Sequence, residues 1–152
     1  MVDQSTLALA VLLCGLSLPG FTAGPDDRRV VFSPDAPEAI GPYSQAIRVG
    51  NTLYLAGQIA TDPKTKQFTA TADIETQTKL VLDNLQAVLK ADGMDMSHVV
   101  STTVFLKDMN NFAKMNAVYA SYFKSNPPAR ATVEVARLPR DAQVEISAIA
   151  VK

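Results

Sequence analysis

Two stretches with a helical period, set among strand-like runs, limit this chain more than any other feature. Residues 73–91 place Ile74, Val81, Leu85 and Val88 on one stripe, which Leu82 and Leu89 widen. Thr71 or Asp73 can cap the start of that helix, and Gly93 can stop it. A second helix follows a cap at Asp108, with the stripe Phe112, Met115, Tyr119 and Tyr122. Between the two lies Val99–Leu106, rich in β-branched residues and read as a strand. Residues 131–135 and 143–151 are the last two strands, after a 125–129 loop that holds Pro127-Pro128. Upstream, Val30-Val31-Phe32 is a short strand and 33–42 a proline-rich loop. Residues 44–49 and Thr52–Gln58 flank Gly50-Asn51, a two-residue hairpin signal in which glycine supplies the positive φ. Residues 62–66 form a polar turn. The order strand–hairpin–helix–strand–helix–strand–strand predicts an α+β domain, a sheet with both helices on one face. The other face then lacks a cover, and self-association is the simplest way to bury its apolar residues.

The inventory of reactive side chains narrows the chemistry. The 152 residues hold one Cys, one His and no Trp, which excludes an internal disulfide, a Cys-rich zinc site and a His-His metal motif. A formal charge of −1 gives no positive field to draw nucleic acid in. Residues 1–25 read as a signal peptide or an N-terminal extension. The apolar run 7–18, roughly 12 residues, matches a signal core and falls short of the ~20 of a membrane span. Small residues follow it, but Asp3 stands where export signals carry Lys or Arg. The expectation is a periplasmic or secreted protein with no stable membrane association once the signal is removed. A cytoplasmic protein is the alternative if the extension is no signal.

Three side chains stand out. Arg130 follows Pro127-Pro128-Ala129 and opens a strand, a stiff junction from which a planar guanidinium could grip a carboxylate in a bidentate way. A solvated surface arginine is the alternative. Glu145 lies in an apolar strand, where alternation puts it with Ser147 and Ile149 on one face. There it could have a raised pKa, or form an ion pair at a subunit contact. Tyr43, after Gly41-Pro42, presents a phenol near the hairpin or packs over a sheet edge. Gly57 interrupts a strand, which a bulge or a close ligand would justify. Asn116 sits one step past the core stripe of the second helix. Arg137, Arg140 and His98 read as surface residues, and Glu134 as structural.

Read together, Gly41-Pro42-Tyr43-Ser44-Gln45-Ala46, Ala56-Gly57-Gln58-Ile59, Val104-Phe105-Leu106-Lys107-Asp108-Met109-Asn110, Pro128-Ala129-Arg130 with 133–139, and Val144-Glu145-Ile146 resemble the reactive-intermediate deaminase (RidA, or YjgF-like) family. The resemblance covers 30–152 as one RidA-like domain. It implies a chorismate-mutase-like α+β fold, a mixed sheet with two helices on one face, in a homotrimer with a central barrel and clefts between subunits. The implied reaction is hydrolysis of enamines and imines such as 2-aminoacrylate to 2-oxo acids and ammonia, with no metal or organic cofactor and small carboxylic-acid imines as substrates. By resemblance Arg130 matches the arginine that holds the substrate carboxylate, Tyr43 lines the cleft, and Glu145 positions or activates water. Gly57, Asn116 and Thr132 match other substrate-binding positions. A non-catalytic small-acid-binding or chaperone-like trimer is the alternative, and a ribonuclease or translation inhibitor fits the charge less well. The sequence departs from the family where Arg130-Ala131-Thr132 replaces Arg-Ser-Cys and Ala56 replaces a frequent Ser, and the loop 124–128 is short.

Overall fold

The computed structural model describes residues 28–152. The segment 1–25 read as a signal or extension lies outside them. Among the described residues six strands form one sheet: β1 (Arg28–Val31), β2 (Ala46–Val49), β3 (Thr52–Gln58), β4 (Val99–Leu106), β5 (Ala129–Glu134) and β6 (Val144–Val151). Two helices, α1 (Ile74–Ala91) and α2 (Phe112–Tyr122), connect β3 to β4 and β4 to β5. The strand order is β1-β2-β3-β6-β4-β5. All neighbours are antiparallel except β4 and β5, whose parallel pairing needs the long crossover that α2 supplies. The C-terminal strand β6 inserts between β3 and β4 and pairs with both.

Local chemistry shapes each element. Gly50 takes φ +54° between Val49 and Thr52, which pair across the β2–β3 turn. The Asp73 carboxylate accepts the Thr76 N–H at 2.8 Å to cap α1, and Gly93 follows its end at φ +67°. The Asp62 carboxylate accepts from the Lys64 and Thr65 N–H groups, closing the polar turn. The α1 stripe is buried as its period requires, with Val81, Leu82, Leu85, Val88 and Leu89 packed over Leu53, Val104, Val144 and Ile146. At the far end of α1 the buried Asp92 side chain pairs with Arg48 at 2.6 Å and with Arg29. That cluster ties β1 and β2 to the helix.

Four expectations shift. The first strand is Arg28–Val31, so Phe32 lies beyond it and is exposed. Strand β5 begins at Ala129, so Arg130 is its second residue. Asp108 caps not α2 but a short turn over Met109–Asn111 that runs into it, accepting the Asn110 N–H at 2.9 Å. On α2 only Met115 and Tyr119 are buried; Phe112, expected in the core, is exposed.

Both helices cover the same sheet face. Among the described residues nothing covers the opposite face, and its cross-strand row Val30–Ile47–Tyr54–Ile149 runs over four strands. Val30, Tyr54 and Ile149 in that row are exposed large apolar side chains.

Candidate active site

Strand β6 sends Val144, Ile146, Ala148 and Ala150 into the core, and Glu145, Ser147 and Ile149 to the bare face. Glu145 is half-buried, and burial pushes its carboxyl above the ordinary glutamate value. No Lys, Arg or His among the described residues pairs with it. Its seat is Gly57. The β3–β6 register slips between Leu55 and Gln58, and a Cβ built on Gly57 would stand 2.1 Å from Glu145 Oε1. Of the two readings of Gly57, the structure shows the irregular strand. The group that approaches closely is the glutamate carboxyl.

Gly57 and Glu145 line an open cavity of about 330 Å³ with Tyr43, Ile40, Ala56 and Pro139. Tyr43 folds back over its own loop, its phenol oxygen accepting the Ile40 N–H at 3.3 Å. The O–H proton stays available for a further acceptor. That loop hangs on Gln45, a buried residue not singled out from the sequence. Its Oε1 accepts the Ser33 N–H at 2.6 Å, and its Nε2 donates to the carbonyls of Pro37 at 2.8 Å, Ser33 at 3.1 Å and Ala36 at 3.3 Å. Gln45→Leu would strand these backbone groups and is expected to cost about 2 kcal/mol. The urea midpoint should fall with m unchanged, and the Ser33 amide should lose its exchange protection. Wild-type protection at Ser33 would show that the loop does not depend on Gln45.

Arg130 belongs to a second cavity. It pairs with Thr102 across the parallel β4–β5 ladder, and Thr102 is buried on the helix side. Arg130 Cζ lies 4.5 Å from the Tyr119 ring centroid and 5.7 Å from that of Phe112. No Asp or Glu among the described residues neutralises it. Asn116, Pro127, Pro128 and Tyr119 line an open cavity of about 400 Å³ with it. Thr132 follows two residues on along the same side of β5. Its Oγ1 is buried and has no hydrogen-bond partner among the described residues.

The six site residues read from the sequence thus fall into two groups. Tyr43, Gly57 and Glu145 share one cavity; Arg130 and Asn116 share the other, with Thr132 beside them on β5. Glu145 pairs with Phe105 on the bare side of the sheet, whereas Arg130 pairs with Thr102 on the helix side. One chain therefore does not bring the guanidinium and the carboxyl onto a single small molecule. Tyr119, a core residue by its helical period, also lines the Arg130 cavity. The signal was the 112, 116, 119 spacing, which aligns Phe112, Asn116 and Tyr119 on one helix face. Glu134 is structural as read, its carboxylate accepting the Met109 N–H at 2.7 Å. Arg137 pairs with Asp141 on the surface. Among the described residues no three His, Cys, Asp or Glu side chains cluster in a way that could hold a metal ion. Nor is any helix among them long and apolar enough to cross a membrane.

The mixed sheet, the two helices on one of its faces and the single parallel edge pair define an α+β protein of the YjgF-like fold. The chain belongs to the YjgF/RutC/RidA family, whose sequence model, described as Endoribonuclease L-PSP, matches residues 33–152. RutC family protein PH0854 of Pyrococcus horikoshii is 54% identical over 125 residues, 82% of this chain and 98% of that protein. The 2-iminobutanoate/2-iminopropanoate deaminase of Mus musculus is 48% identical over 125 residues, 82% of this chain and 92% of the mouse protein. Among solved structures, E. coli TdcF with bound serine superposes with a TM-score of 0.78 at 38% identity, covering 82% of this chain and 98% of that one.

Proposed function

We propose that the protein hydrolyses small 2-imino acids and their enamine tautomers to 2-oxo acids and ammonia, in clefts formed where copies of the chain meet. The observation that carries this reading is Arg130, a guanidinium held against an aromatic ring at a cavity and paired with no carboxylate among the described residues. Such a group is a receptor for a carboxylate supplied by a ligand. The likeness to a mouse imine deaminase and to a protein that holds serine supports a ligand of amino-acid size. The bare apolar face, with Tyr54, Val133 and Ile149 exposed, supports assembly with further copies. A homotrimer lets Arg130, Asn116 and Thr132 of one copy face Tyr43, Gly57 and Glu145 of the next.

The chemistry asks little of the side chains. Arg130 fixes the substrate carboxylate, and an enamine gains a proton at carbon and loses one from nitrogen to become the imine. Glu145, whose carboxyl burial holds above its ordinary value, orients water against the C=N carbon and serves as its proton acceptor. Water adds across the C=N bond to give a carbinolamine, a proton passes to its nitrogen, and the C–N bond breaks as the hydroxyl gives up its proton, releasing ammonia and a 2-oxo acid. Holding acid and water together supplies most of the acceleration. The test generates 2-aminoacrylate from serine with a pyridoxal-phosphate dehydratase and follows pyruvate. Release no faster than in buffer would sink the proposal. The description of the family model as an endoribonuclease is the reason to run RNA beside it. A sequence pI of about 5.7 favours the small acid over a polyanion.

A further inference from the structure

We propose that Tyr119 is a positioning residue that holds the Arg130 guanidinium in the plane needed to grip a carboxylate, so that substrate affinity depends on the face of its ring. The inference rests on the carboxylate-binding role proposed for Arg130 and adds what keeps that arginine ready.

Tyr119 is fixed from three sides. Its hydroxyl shares a buried hydrogen bond of 2.7 Å with Thr102 Oγ1. Its ring meets Phe123 at a centroid distance of 4.5 Å, and Arg130 Cζ lies over it, also at 4.5 Å. Thr102 is the residue that Arg130 faces across the β4–β5 ladder. Ring tip and arginine backbone are therefore referenced to the same rung of the sheet. Burial holds the phenol above its ordinary pKa, so the ring stays neutral and attracts the cation through its face. Phe112, two helical turns back, flanks the guanidinium from 5.7 Å.

A freely rotating arginine would spread its five N–H donors over many directions and would have to be ordered by each substrate it binds. A cation resting on a ring has its plane set beforehand, with its N–H edge free for the two oxygens of an acid. An aspartate could orient the guanidinium equally well, but it would compete with the ligand for the same donors. An aromatic face orients it and leaves those donors unoccupied. Phe112 and Tyr119, both on the α2 stripe read as core, therefore also furnish, with Asn116 beside them, one wall of the carboxylate site.

The experiment compares Tyr119→Phe with Tyr119→Leu in the intact, natively assembled protein. Three quantities are read: the dissociation constant for 2-oxobutanoate by calorimetry, KM and kcat with 2-aminoacrylate, and the chemical shift of the Arg130 Nε–H. Tyr119→Leu should weaken 2-oxobutanoate binding and raise KM about tenfold, with kcat within about threefold. The Arg130 Nε–H should lose its ring-current shift. Tyr119→Phe keeps the ring face and gives up the Thr102 bond, so it should hold affinity and KM within about threefold even if its Tm falls. The proposal is overturned if Tyr119→Leu binds 2-oxobutanoate as the wild type does, if the Nε–H shift is the same in both, or if the phenylalanine variant loses as much affinity as the leucine one. If the wild type binds no 2-oxobutanoate, the role of Arg130 is what fails, and the Nε–H shift still reports whether Tyr119 holds the side chain.

Discussion

Arg130→Ala is expected to lower kcat/KM on 2-aminoacrylate at least about 100-fold, close to 2.7 kcal/mol of transition-state stabilisation at 1.36 kcal/mol per decade. The proposed substrate is small, and its carboxylate is its only permanent charge. No other described side chain at that cavity offers a cation to replace the lost one. Stability should change little. The guanidinium is partly exposed and makes no ion pair among the described residues, so its removal costs mainly the contact with Tyr119. Arg130→Lys should recover only part of the loss, because an ammonium supplies a point charge and not the two parallel donors of a fork. Steady-state kinetics on protein whose assembly has been checked by light scattering is the measurement. Unchanged turnover in Arg130→Ala would remove the basis for the proposed function.

Gly57→Ala should produce a comparable loss by a different route. The added methyl would stand 2.1 Å from Glu145 Oε1, 2.9 Å from Cδ and 3.1 Å from Cγ. All of these belong to the outer part of a flexible side chain, so the strand can keep its course while the carboxyl swings away. The expected result is a protein that folds and assembles with a small change in Tm and a fall in kcat of about 100-fold, the size of effect that a misplacement near 1 Å can have. Glu145→Gln should be similarly slow. The double variant Gly57→Ala/Glu145→Gln should be little worse than either single one, because both act through one carboxyl. Independent, multiplying losses would mean that Gly57 serves something other than the seat of Glu145.

These two residues illustrate how far the chain can be read without coordinates. The helix at α1 follows from its own period and its Asp73 cap, the β2–β3 hairpin from Gly50-Asn51, and the alternation in β6 from a period of two. Each depends on neighbours a few residues away. Asp108 misled because its carboxylate caps the turn over Met109–Asn111 ahead of α2, a difference of one short element. Phe112 misled because an apolar residue on a helical stripe has no mark to tell a core position from a rim beside an arginine. Gln45 gave no local signal, since the backbone groups that it holds lie 8–12 positions away, in a loop whose path is set by the fold.

Read alone, the chain yields the α+β class, the two helices on one side, the uncovered opposite side and the candidate residues, because periodicity, capping and turn chemistry act over a turn or two of backbone. The motifs that resemble the family also lie in short runs. Three dimensions were needed for the insertion of β6 between β3 and β4, the seat of Glu145 on Gly57, the resting place of Arg130 on Tyr119, and the division of the site between two sides of one sheet. Those relations join residues well separated in the chain, 11 positions for Tyr119 and Arg130 and 88 for Gly57 and Glu145, through strand register and pleat. A shift of one residue in register would turn Arg130 or Glu145 to the opposite side without changing a letter of the sequence.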